Sequence, residues 1–402
     1  MRDYAKPKVS IAFDMFGCPQ SCRHCWLGQI PWQPMDEQDV FSTFAEARQL
    51  EDVHVESIAP DFREPHMAPE YRELYARCDK INGCRLEADY SFELLNLWRL
   101  VNDPEYAVWA AARGIRRCQL KWFGTGSVND DFYGRVGVDQ ILARATDILL
   151  ENGIVPRWQI YLNSAGAPQL QDIWQLAQEW ELPRRVKQLN DTFDIHCLAY
   201  DVDGSAFAER HRRMRRGEEH HIPRGLWEST QRKFAGYELQ TEGDLYRQIN
   251  DGDSGCIPDT GGHQLWFFVT SNWDVYPNFM GPAPWWKLGN LRTEPWQDVW
   301  QRYAAGDCIG LQVMRTWTAV QLAQAYGAPD GDSLFDSVGQ VVDYWRGHAC
   351  RDLYRAQQVE RVGSGNESTP KPCSKSDIGS MWSRKSQITG FRGSCPADQS
   401  HF

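Results

Sequence analysis

The stretch GCPQSCRHCW, residues 17–26, carries a cluster of cysteines. Cys18, Cys22 and Cys25 are spaced as C-x3-C-x2-C, and the small and polar residues between them favour a tight loop that gathers the thiols. Iron–sulfur clusters are held by cysteine thiolates, normally four of them. Three close cysteines without a nearby fourth therefore predict a cluster in which one iron is open to a substrate or cofactor.

Structural zinc is the alternative interpretation of this stretch. A closed zinc site takes four ligands, often as two C-x2-C pairs. His24 could be the fourth ligand, but it stands between two of the cysteines, where its side chain tends to point away from their focus. The spacing therefore favours an iron–sulfur cluster over zinc.

The motif follows a short apolar run, Val9–Phe13, and in this setting it resembles the signature of the radical S-adenosylmethionine (SAM) superfamily. In that family three cysteines hold a [4Fe–4S] cluster, and the amino and carboxylate groups of SAM bind the fourth iron. The resemblance implies that Cys18, Cys22 and Cys25 are the cluster ligands. It also implies that SAM is cleaved to a 5′-deoxyadenosyl radical, which abstracts a hydrogen atom from the substrate. His24 occupies the position where the family usually has an aromatic residue near the adenine, so we expect it at the cofactor.

Composition excludes several classes of protein. The chain has 402 residues and a net charge of −11, which argues against a general nucleic-acid or membrane-surface binder. It contains no run of eighteen apolar residues, and its first residues lack the apolar stretch of a signal peptide. Twelve cysteines in such a chain indicate reduced thiols and metal ligation rather than a disulfide framework. Together these features predict a cytoplasmic protein.

Strand and helix patterns alternate along the first half of the chain. The predicted strands are Val9–Phe13, Val53–Ala59, Arg85–Tyr90, Arg116–Phe123, Ile154–Leu162 and Thr192–Tyr200. The predicted helices are Asp36–Leu50, Pro69–Cys78, Phe92–Arg113 with an interruption at Pro104, Val138–Asn152 and Leu170–Trp180. This alternation predicts an α/β fold with a mostly parallel sheet wrapped by helices. The resemblance implies a partial (β/α)6 TIM-like barrel over residues 1–235, with the chemistry at the carboxyl ends of the strands.

The resemblance also implies contacts to SAM at that end of the barrel. After the second strand the family often has G-G-E-P, and the corresponding residues 62–65 match it only in their last two positions. Glu64 could accept hydrogen bonds from the SAM ammonium, and a solvated loop residue is the alternative. Lys121 stands where the family often has a serine, and a charge facing a barrel mouth needs a partner. Asn163 matches a polar position used for the SAM carboxylate or ribose, and it equally suits the start of a turn.

A second unit is predicted over residues 243–358, as a small α+β C-terminal extension. Two strand-like runs within residues 263–278 flank a four-residue turn and predict a hairpin, and a helix is predicted at residues 294–303. This order resembles the SPASM or twitch extensions of radical SAM enzymes. Beyond the extension, residues 363–377 are rich in Gly, Ser, Pro and Lys without periodicity, and we expect the tail, residues 360–402, to be disordered.

The extension is expected to hold no auxiliary cluster. Cys256 matches the first cysteine that such extensions use, but Asn278 stands in place of the second. Cys308 and Cys350 are the remaining cysteines of the extension, and they lie far apart in sequence. A cubane cluster normally needs four thiolates, and a neutral amide is a poor substitute. A cluster with only these three thiolates stays the alternative.

The sequence therefore predicts a radical SAM enzyme that acts on a small-molecule substrate, a natural product or metabolite. The resemblance also implies an electron donor such as flavodoxin or ferredoxin as a partner. A peptide-modifying radical SAM maturase is the alternative within the family, since SPASM-type extensions often accompany such enzymes. From other classes, a non-catalytic iron–sulfur electron carrier and a zinc-binding scaffold stay open. The motifs do not specify the reaction that follows hydrogen abstraction.

Overall fold

The computed structural model describes residues 6–18, 20–28, 33–59, 70–83, 92–93, 95–200, 204–252, 264–277 and 282–364. The strands in these ranges are β1 (Lys8–Phe13), β2 (His54–Ala59), β3 (Phe92–Glu93), β4 (Arg117–Trp122), β5 (Val155–Leu162), β6 (Asp194–Ala199), β7 (Gln240–Thr241), β8 (Gln264–Val269), β9 (Asp274–Pro277), β10 (Gly289–Asn290) and β11 (Leu334–Phe335).

The helices in the same ranges are α1 (Glu37–Ala47), α2 (Tyr71–Asn82), α3 (Leu97–Asn102), α4 (Pro104–Arg113), α5 (Ser127–Tyr133), α6 (Val138–Glu151), α7 (Leu170–Glu179), α8 (Leu182–Lys187), α9 (Arg224–Lys233), α10 (Glu242–Asp251), α11 (Trp296–Ala305), α12 (Ile309–Thr316), α13 (Ala319–Tyr326) and α14 (Val338–Ser364). None of these helices combines the length and apolarity needed to cross a bilayer.

Two larger sheets contain the first six strands and the strands β8, β9 and β10. One has the order β3-β4-β5-β6 and is parallel throughout, and the other has the order β10-β9-β8-β1-β2, in which β1 runs parallel to both of its neighbours. The predicted α/β class is therefore confirmed. Within the described ranges the two sheets do not join into a closed barrel, so the partial-barrel geometry stays a prediction.

The sheet β3-β4-β5-β6 has one apolar and one polar face. In β4, Cys118, Leu120 and Trp122 are buried in a core that they share with helices such as α6, whereas Gln119 and Lys121 are only half-buried. This alternation is expected of a strand that packs helices on one side only. The layer of helices therefore covers one face, and the polar side chains of β4 point to the other.

The start of the predicted helix Phe92–Arg113 is wrong. Phe92 and Glu93 form β3, and the helical residues begin only at Leu97, where Asn96 accepts a hydrogen bond from the backbone N–H of Arg99 at 2.6 Å. The break at Pro104 is confirmed, because this residue begins α4. Proline lacks an N–H and suits the first position of a helix, where that donor has no partner within the helix. The predicted strand 85–90 lies outside the described residues.

The predicted hairpin is confirmed, since β8 and β9 pair antiparallel. In addition, β8 pairs in parallel with β1 along all six residues, from Lys8 opposite Gln264 to Phe13 opposite Val269. The predicted helix of the extension is α11, whose Trp296 donates a hydrogen bond to the backbone oxygen of Thr43 at 2.9 Å. The hairpin therefore extends the same sheet that contains β1.

The helices α10, α12, α13 and α14 pack around a separate apolar core that includes Leu322, Val341 and Trp345. The last of these helices, α14, continues to Ser364, beyond the expected start of the tail at residue 360. Residues 365–402 lie outside the described part of the chain. The predicted unit boundaries at residues 235, 243 and 358 stay predictions.

Candidate cofactor site

The cysteine loop, residues 14–28, leaves the carboxyl end of β1. The loop stays attached to the sheet at first, because the backbone N–H of Asp14 donates to the oxygen of Val269 of β8 at 2.7 Å. The N–H of Met35, from the segment before α1, donates to the oxygen of Met15 at 2.7 Å. The chain then turns outward at Gly17, whose φ of +67° lies in the left-handed region that favours glycine. The motif therefore begins where the strand ends.

The three cysteines of the motif differ in exposure from the other described cysteines. Cys18, Cys22 and Cys25 are half-buried. The remaining thiols that the structure describes are buried, namely those of Cys78, Cys118, Cys197, Cys308 and Cys350. Among the cysteines that the structure describes, only those of the motif thus combine partial access with a shared loop.

The loop backbone turns between the cysteines. The N–H of Cys25 donates to the oxygen of Cys22 at 3.3 Å, and the N–H of Gly28 donates to the oxygen of Cys25 at 3.1 Å. Across the described ranges, no group of three His, Cys, Asp or Glu side chains lies close enough to hold a metal ion. The assignment of Cys18, Cys22 and Cys25 as cluster ligands therefore stays a prediction.

A segment that sequence reasoning missed holds the loop in place. We call it the α5 brace, residues 131–134, at the end of α5. The backbone oxygen of Phe132 accepts two hydrogen bonds from the loop, from the N–H of Arg23 at 2.9 Å and from Nδ1 of His24 at 3.0 Å. The guanidinium of Arg23 also pairs with Asp131 at 3.2 Å. The glycines on either side of α5, at positions 126 and 134, were the available sequence signal for a short helix.

Gly134 brings the α5 brace into direct contact with the loop. The hydroxyl of Ser21 donates to the oxygen of Gly134 at 3.2 Å. A Cβ at position 134 would lie 2.6 Å from the backbone oxygen of Ser21, and the φ of Gly134 is +65°. Both the close approach and the backbone conformation therefore require glycine here.

His24, predicted to lie at the cofactor, packs between aromatic rings. Its ring centroid lies 4.5 Å from that of Phe123 and 4.9 Å from that of Tyr133. Burial and the nearby positive charge of Lys121 lower the pKa of His24 to about 3, although the hydrogen bond to Phe132 acts in the opposite direction. The imidazole is therefore neutral, with Nδ1 donating to Phe132 and Nε2 left as an acceptor.

Lys121 lies on the polar face of β4, close enough to His24 to affect its charge. Its ammonium has no ion-pair or hydrogen-bond partner within the described ranges. The structure thus brings two of the predicted cofactor residues, Lys121 and His24, together beside the cysteine loop. Glu64 lies outside the described residues. Its role as a cofactor ligand stays a prediction.

Asn163 follows β5 and closes a turn with its own side chain. Its Nδ2 donates to the backbone oxygens of Phe123 at 2.6 Å and Tyr161 at 3.0 Å, and its Oδ1 accepts from the N–H of Gly166 at 2.8 Å. These bonds agree with the alternative role predicted for Asn163, which is to start a turn. A role in binding SAM stays a prediction for Asn163.

A polar group on β5 and β6 also escaped sequence reasoning. Asp194 accepts a hydrogen bond from Nδ1 of His196 at 2.9 Å and pairs with Arg157 at 2.8 Å and with Lys233 of α9. Burial alone would raise the pKa of Asp194, but the bonds from His196 and Lys233 outweigh it and hold the pKa well below its usual range. Alternate side chains of a strand share one face, as the polar side chains of β4 do. The same alternation in β5 and β6 was the signal that could have revealed this group.

The described cysteines of the extension lie in different cores. Cys308 precedes α12 in the core that also contains β1, and Cys350 lies in the separate core around α14. Cys256 and Asn278 lie outside the described residues. The expectation that the extension holds no auxiliary cluster stays a prediction.

No protein-family model matches the chain, and no curated protein gives a significant match. Among solved structures, the chain is similar to native anSMEcpe with bound AdoMet, at 13% identity and a TM-score of 0.46, covering 87% of this chain and 99% of that one. It is also similar to Streptococcus suis SuiB bound to S-adenosylmethionine, at 14% identity and a TM-score of 0.39, covering 83% and 77% of the two chains. This likeness is distant, and function has to be inferred from the residues themselves.

Proposed function

We propose that this chain is a radical SAM enzyme that abstracts hydrogen from a small-molecule substrate. The observation that carries the proposal is the C-x3-C-x2-C loop at the carboxyl end of β1, held by the α5 brace beside Lys121 of β4. In parallel α/β folds, ligands bind beyond the carboxyl ends of the strands. The motif therefore occupies the position where this fold supports chemistry.

The donor set fits an iron–sulfur cluster in its chemistry. Soft thiolates favour such clusters, and Cys18, Cys22 and Cys25 are half-buried thiols on one loop. When bound, a [4Fe–4S] cluster would supply the electron that cleaves SAM and an open iron to which SAM can bind. We propose Cys18, Cys22 and Cys25 as its ligands, without an auxiliary cluster in the extension.

Other residues of the site would orient the cofactor and exclude stray reductants. The rings of Phe123 and Tyr133 pack against His24 of the cysteine loop. The ammonium of Lys121 is available to a carboxylate such as that of SAM. Glu64 and Asn163 are proposed as further contacts to SAM. Exclusion of stray reductants and hydrogen-atom donors matters because a carbon radical would otherwise be quenched by them.

Peptide modification is the second candidate, and the β8–β9 hairpin is the observation that favours it, since it resembles the start of a SPASM extension. SuiB, which is similar to this chain at a TM-score of 0.39, has also been solved bound to the precursor peptide SuiA. Either reaction would need an electron donor such as flavodoxin or ferredoxin. An iron–sulfur electron carrier and a zinc-binding scaffold are the candidates from other classes.

Anaerobic reconstitution with iron and sulfide tests the proposal. We expect about four irons per chain and reductive cleavage of SAM, since one cubane cluster requires four irons. Cys22→Ala should abolish both, and Cys78→Ala, which removes a buried thiol outside the loop, should retain both. A Cys22→Ala protein that keeps the cluster absorption and cleaves SAM would overturn the proposal. A cluster without SAM cleavage would indicate an electron carrier, and tightly bound zinc would indicate a scaffold.

A further inference from the structure

Three polar side chains form a row across neighbouring strands of the β3-β4-β5-β6 sheet. Lys121 of β4 pairs in register with Gln159 of β5, and Gln159 pairs with His196 of β6. Neighbouring strands lie about 4.8 Å apart, so the row spans roughly 10 Å. The adjacent register row, Leu120 and Trp158, is buried in the apolar core with the helices. The polar row therefore lies on the opposite face, the face of Lys121.

The His196 end of the row is held in a defined state. Its Nδ1 is engaged by Asp194, which also pairs with Arg157 and Lys233. Burial lowers the pKa of His196, and the positive charges of Lys233 and Arg157 add to this effect, while Asp194 opposes it. A neutral imidazole that donates from Nδ1 has an unprotonated Nε2. The row thus ends in a hydrogen-bond acceptor.

The outward polar groups of the row have no partners within the described part of the chain. This holds for the Lys121 ammonium, for the Gln159 carboxamide and for Nε2 of His196. Gln159 is 7% exposed and His196 is 2% exposed. Buried polar groups in proteins nearly always have hydrogen-bond partners. Gln159 and His196 are buried residues of this kind, and the half-buried Lys121 lies next to them on the same face. A few convergent polar groups on one face are the pattern that fixes the ligand in a small-molecule site.

We propose that Gln159 and His196 bind the substrate, and that the substrate presents a hydroxyl or amine that donates a hydrogen bond to Nε2 of His196. The inference rests on the proposed function, which supplies the reason for a substrate beside Lys121 and the cysteine loop. Gln159 can both donate and accept, so it suits a second polar group on the same molecule. A site of this kind rejects an analogue that lacks the hydroxyl or amine, because its own polar groups are then left unpaired.

Two substitutions of His196 separate substrate binding from a purely structural role. His196→Asn places an amide donor near the position of Nδ1, so it can keep the bond to Asp194 but removes the acceptor at Nε2. His196→Gln extends an amide to the position of Nε2, so it can keep the acceptor but weakens the bond to Asp194. If His196 only supports Asp194, the Asn variant is the milder change. If it binds substrate, the Gln variant is the milder change for binding.

The test measures binding by ligand-observed NMR to the full-length reconstituted protein in the presence of SAM. The probes are matched pairs that differ by one hydroxyl or amine: serine and alanine, ribose and 2-deoxyribose, glucosamine and 2-deoxyglucose. In at least one pair, we expect the compound that carries the extra hydroxyl or amine to bind at least tenfold more tightly than its partner. His196→Asn should lose about tenfold in that affinity and His196→Gln should lose less, while His211→Asn, on an exposed histidine, should match the wild type.

Three outcomes would overturn the inference: no probe binds, both members of every pair bind equally, or His196→Asn binds as tightly as the wild type. Iron content and SAM cleavage of the wild type are measured in parallel. Failure of those two measurements alone would contradict the proposed function while leaving the row as a binding site. Normal iron and SAM cleavage with any of the three outcomes above would contradict only the role of the row.

Discussion

Gly134 lies where the cysteine loop contacts the α5 brace, and its lack of a side chain permits that contact. Gly134→Ala would bring a Cβ within 2.6 Å of the backbone oxygen of Ser21. It would also place a side chain at a positive φ, which costs roughly 1–2 kcal/mol for an ordinary residue. We therefore expect the variant to shift the loop and to lose most of its iron after reconstitution.

Gly153→Ala is the matched control for this prediction. Gly153 also has a positive φ, of +72°, but a Cβ there would meet nothing within 4 Å. Both variants should lose a similar part of the free energy of unfolding from backbone strain, and only Gly134→Ala should lose iron. The iron content after reconstitution and the free energy of unfolding in urea are measured for both variants. Equal iron content in the two would show that the brace does not position the loop.

Asp194 should make the stability of the protein dependent on pH. Its pKa is lowered in the folded state relative to about 3.9 in an unfolded chain, so its contribution is present at neutral pH and is lost as the pH falls through the folded-state pKa. Asp194→Asn should cost roughly 3 kcal/mol at pH 7, because it leaves the charges of Arg157 and Lys233 without their carboxylate.

Urea unfolding of wild type and Asp194→Asn at pH 7, 5 and 3.5 checks the sign. The difference in free energy of unfolding should be largest at pH 7, nearly unchanged at pH 5, and smaller at pH 3.5. At that pH the Asp194 carboxyl binds a proton in the unfolded chain while it stays ionised in the folded protein. A difference that stays constant down to pH 3.5, or that grows as the pH falls, would contradict the assigned ion pairs.

At the scale of elements, β6 ends the sheet, and side chains from the segment that follows cover its open edge. The N–H of Cys197 donates to the hydroxyl of Thr230 at 2.9 Å, and the N–H of Ala199 donates to the hydroxyl of Tyr237 at 2.9 Å. Exposed strand edges invite pairing with other chains, so these hydroxyls satisfy the edge and block it. The polar row beside this edge depends on the resulting position of β6.

Thr230→Val should therefore destabilise the protein by about 1–3 kcal/mol, because the buried N–H of Cys197 would lose its partner. Thr316→Val is the control. The hydroxyls of Thr230 and Thr316 each donate to the backbone oxygen four positions earlier, that of Leu226 at 2.9 Å and that of Gln312 at 2.7 Å, but Thr316 lies on an exposed helix surface. Its effect on the free energy of unfolding should be within about 0.5 kcal/mol. Similar losses in the two variants would indicate that the edge bond contributes little.

Local patterns predicted elements better than they predicted junctions between elements. The strands β1, β4, β5 and β6 and the helix α6 were predicted to within two residues at each end, because their apolar residues repeat with the period of the element. The helix α5 was missed because its seven residues include Asn129, Asp130 and Asp131 and show no apolar stripe. The start of α3 was misplaced because its cap, Asn96, is a weaker signal than the apolar residues before it.

The candidate site was predictable only in part, for a related reason. The spacing of the cysteines lies in one short stretch, so it was visible in the sequence. The neighbours of His24, by contrast, come from residues 121–133, about a hundred positions away. The row that includes Gln159 and His196 depends on register between three strands, which local periodicity does not specify.

At the scale of the whole molecule, the C-terminal hairpin belongs to the sheet that carries the cysteine loop. Sequence patterns separated a first unit from an extension, but β8 pairs with β1 across more than 250 positions. Phe267 and Val269 of β8 share one apolar core with Ile11 and Phe13 of β1 and with Trp296 of α11. No local pattern encodes a pairing at such separation, so the sequence alone did not reveal that β8 pairs with β1.

A fragment of residues 1–251 should therefore fail to fold cooperatively. It would keep β1 but lose β8, which exposes the strand edge of β1 and the apolar residues that now face Phe267 and Trp296. We expect it to aggregate and to show no sharp thermal transition by circular dichroism, whereas a control fragment of residues 1–364, which keeps all described elements, should unfold like the full chain. A monomeric 1–251 fragment with a sharp transition and about four irons after reconstitution would show that the first unit is independent of the hairpin.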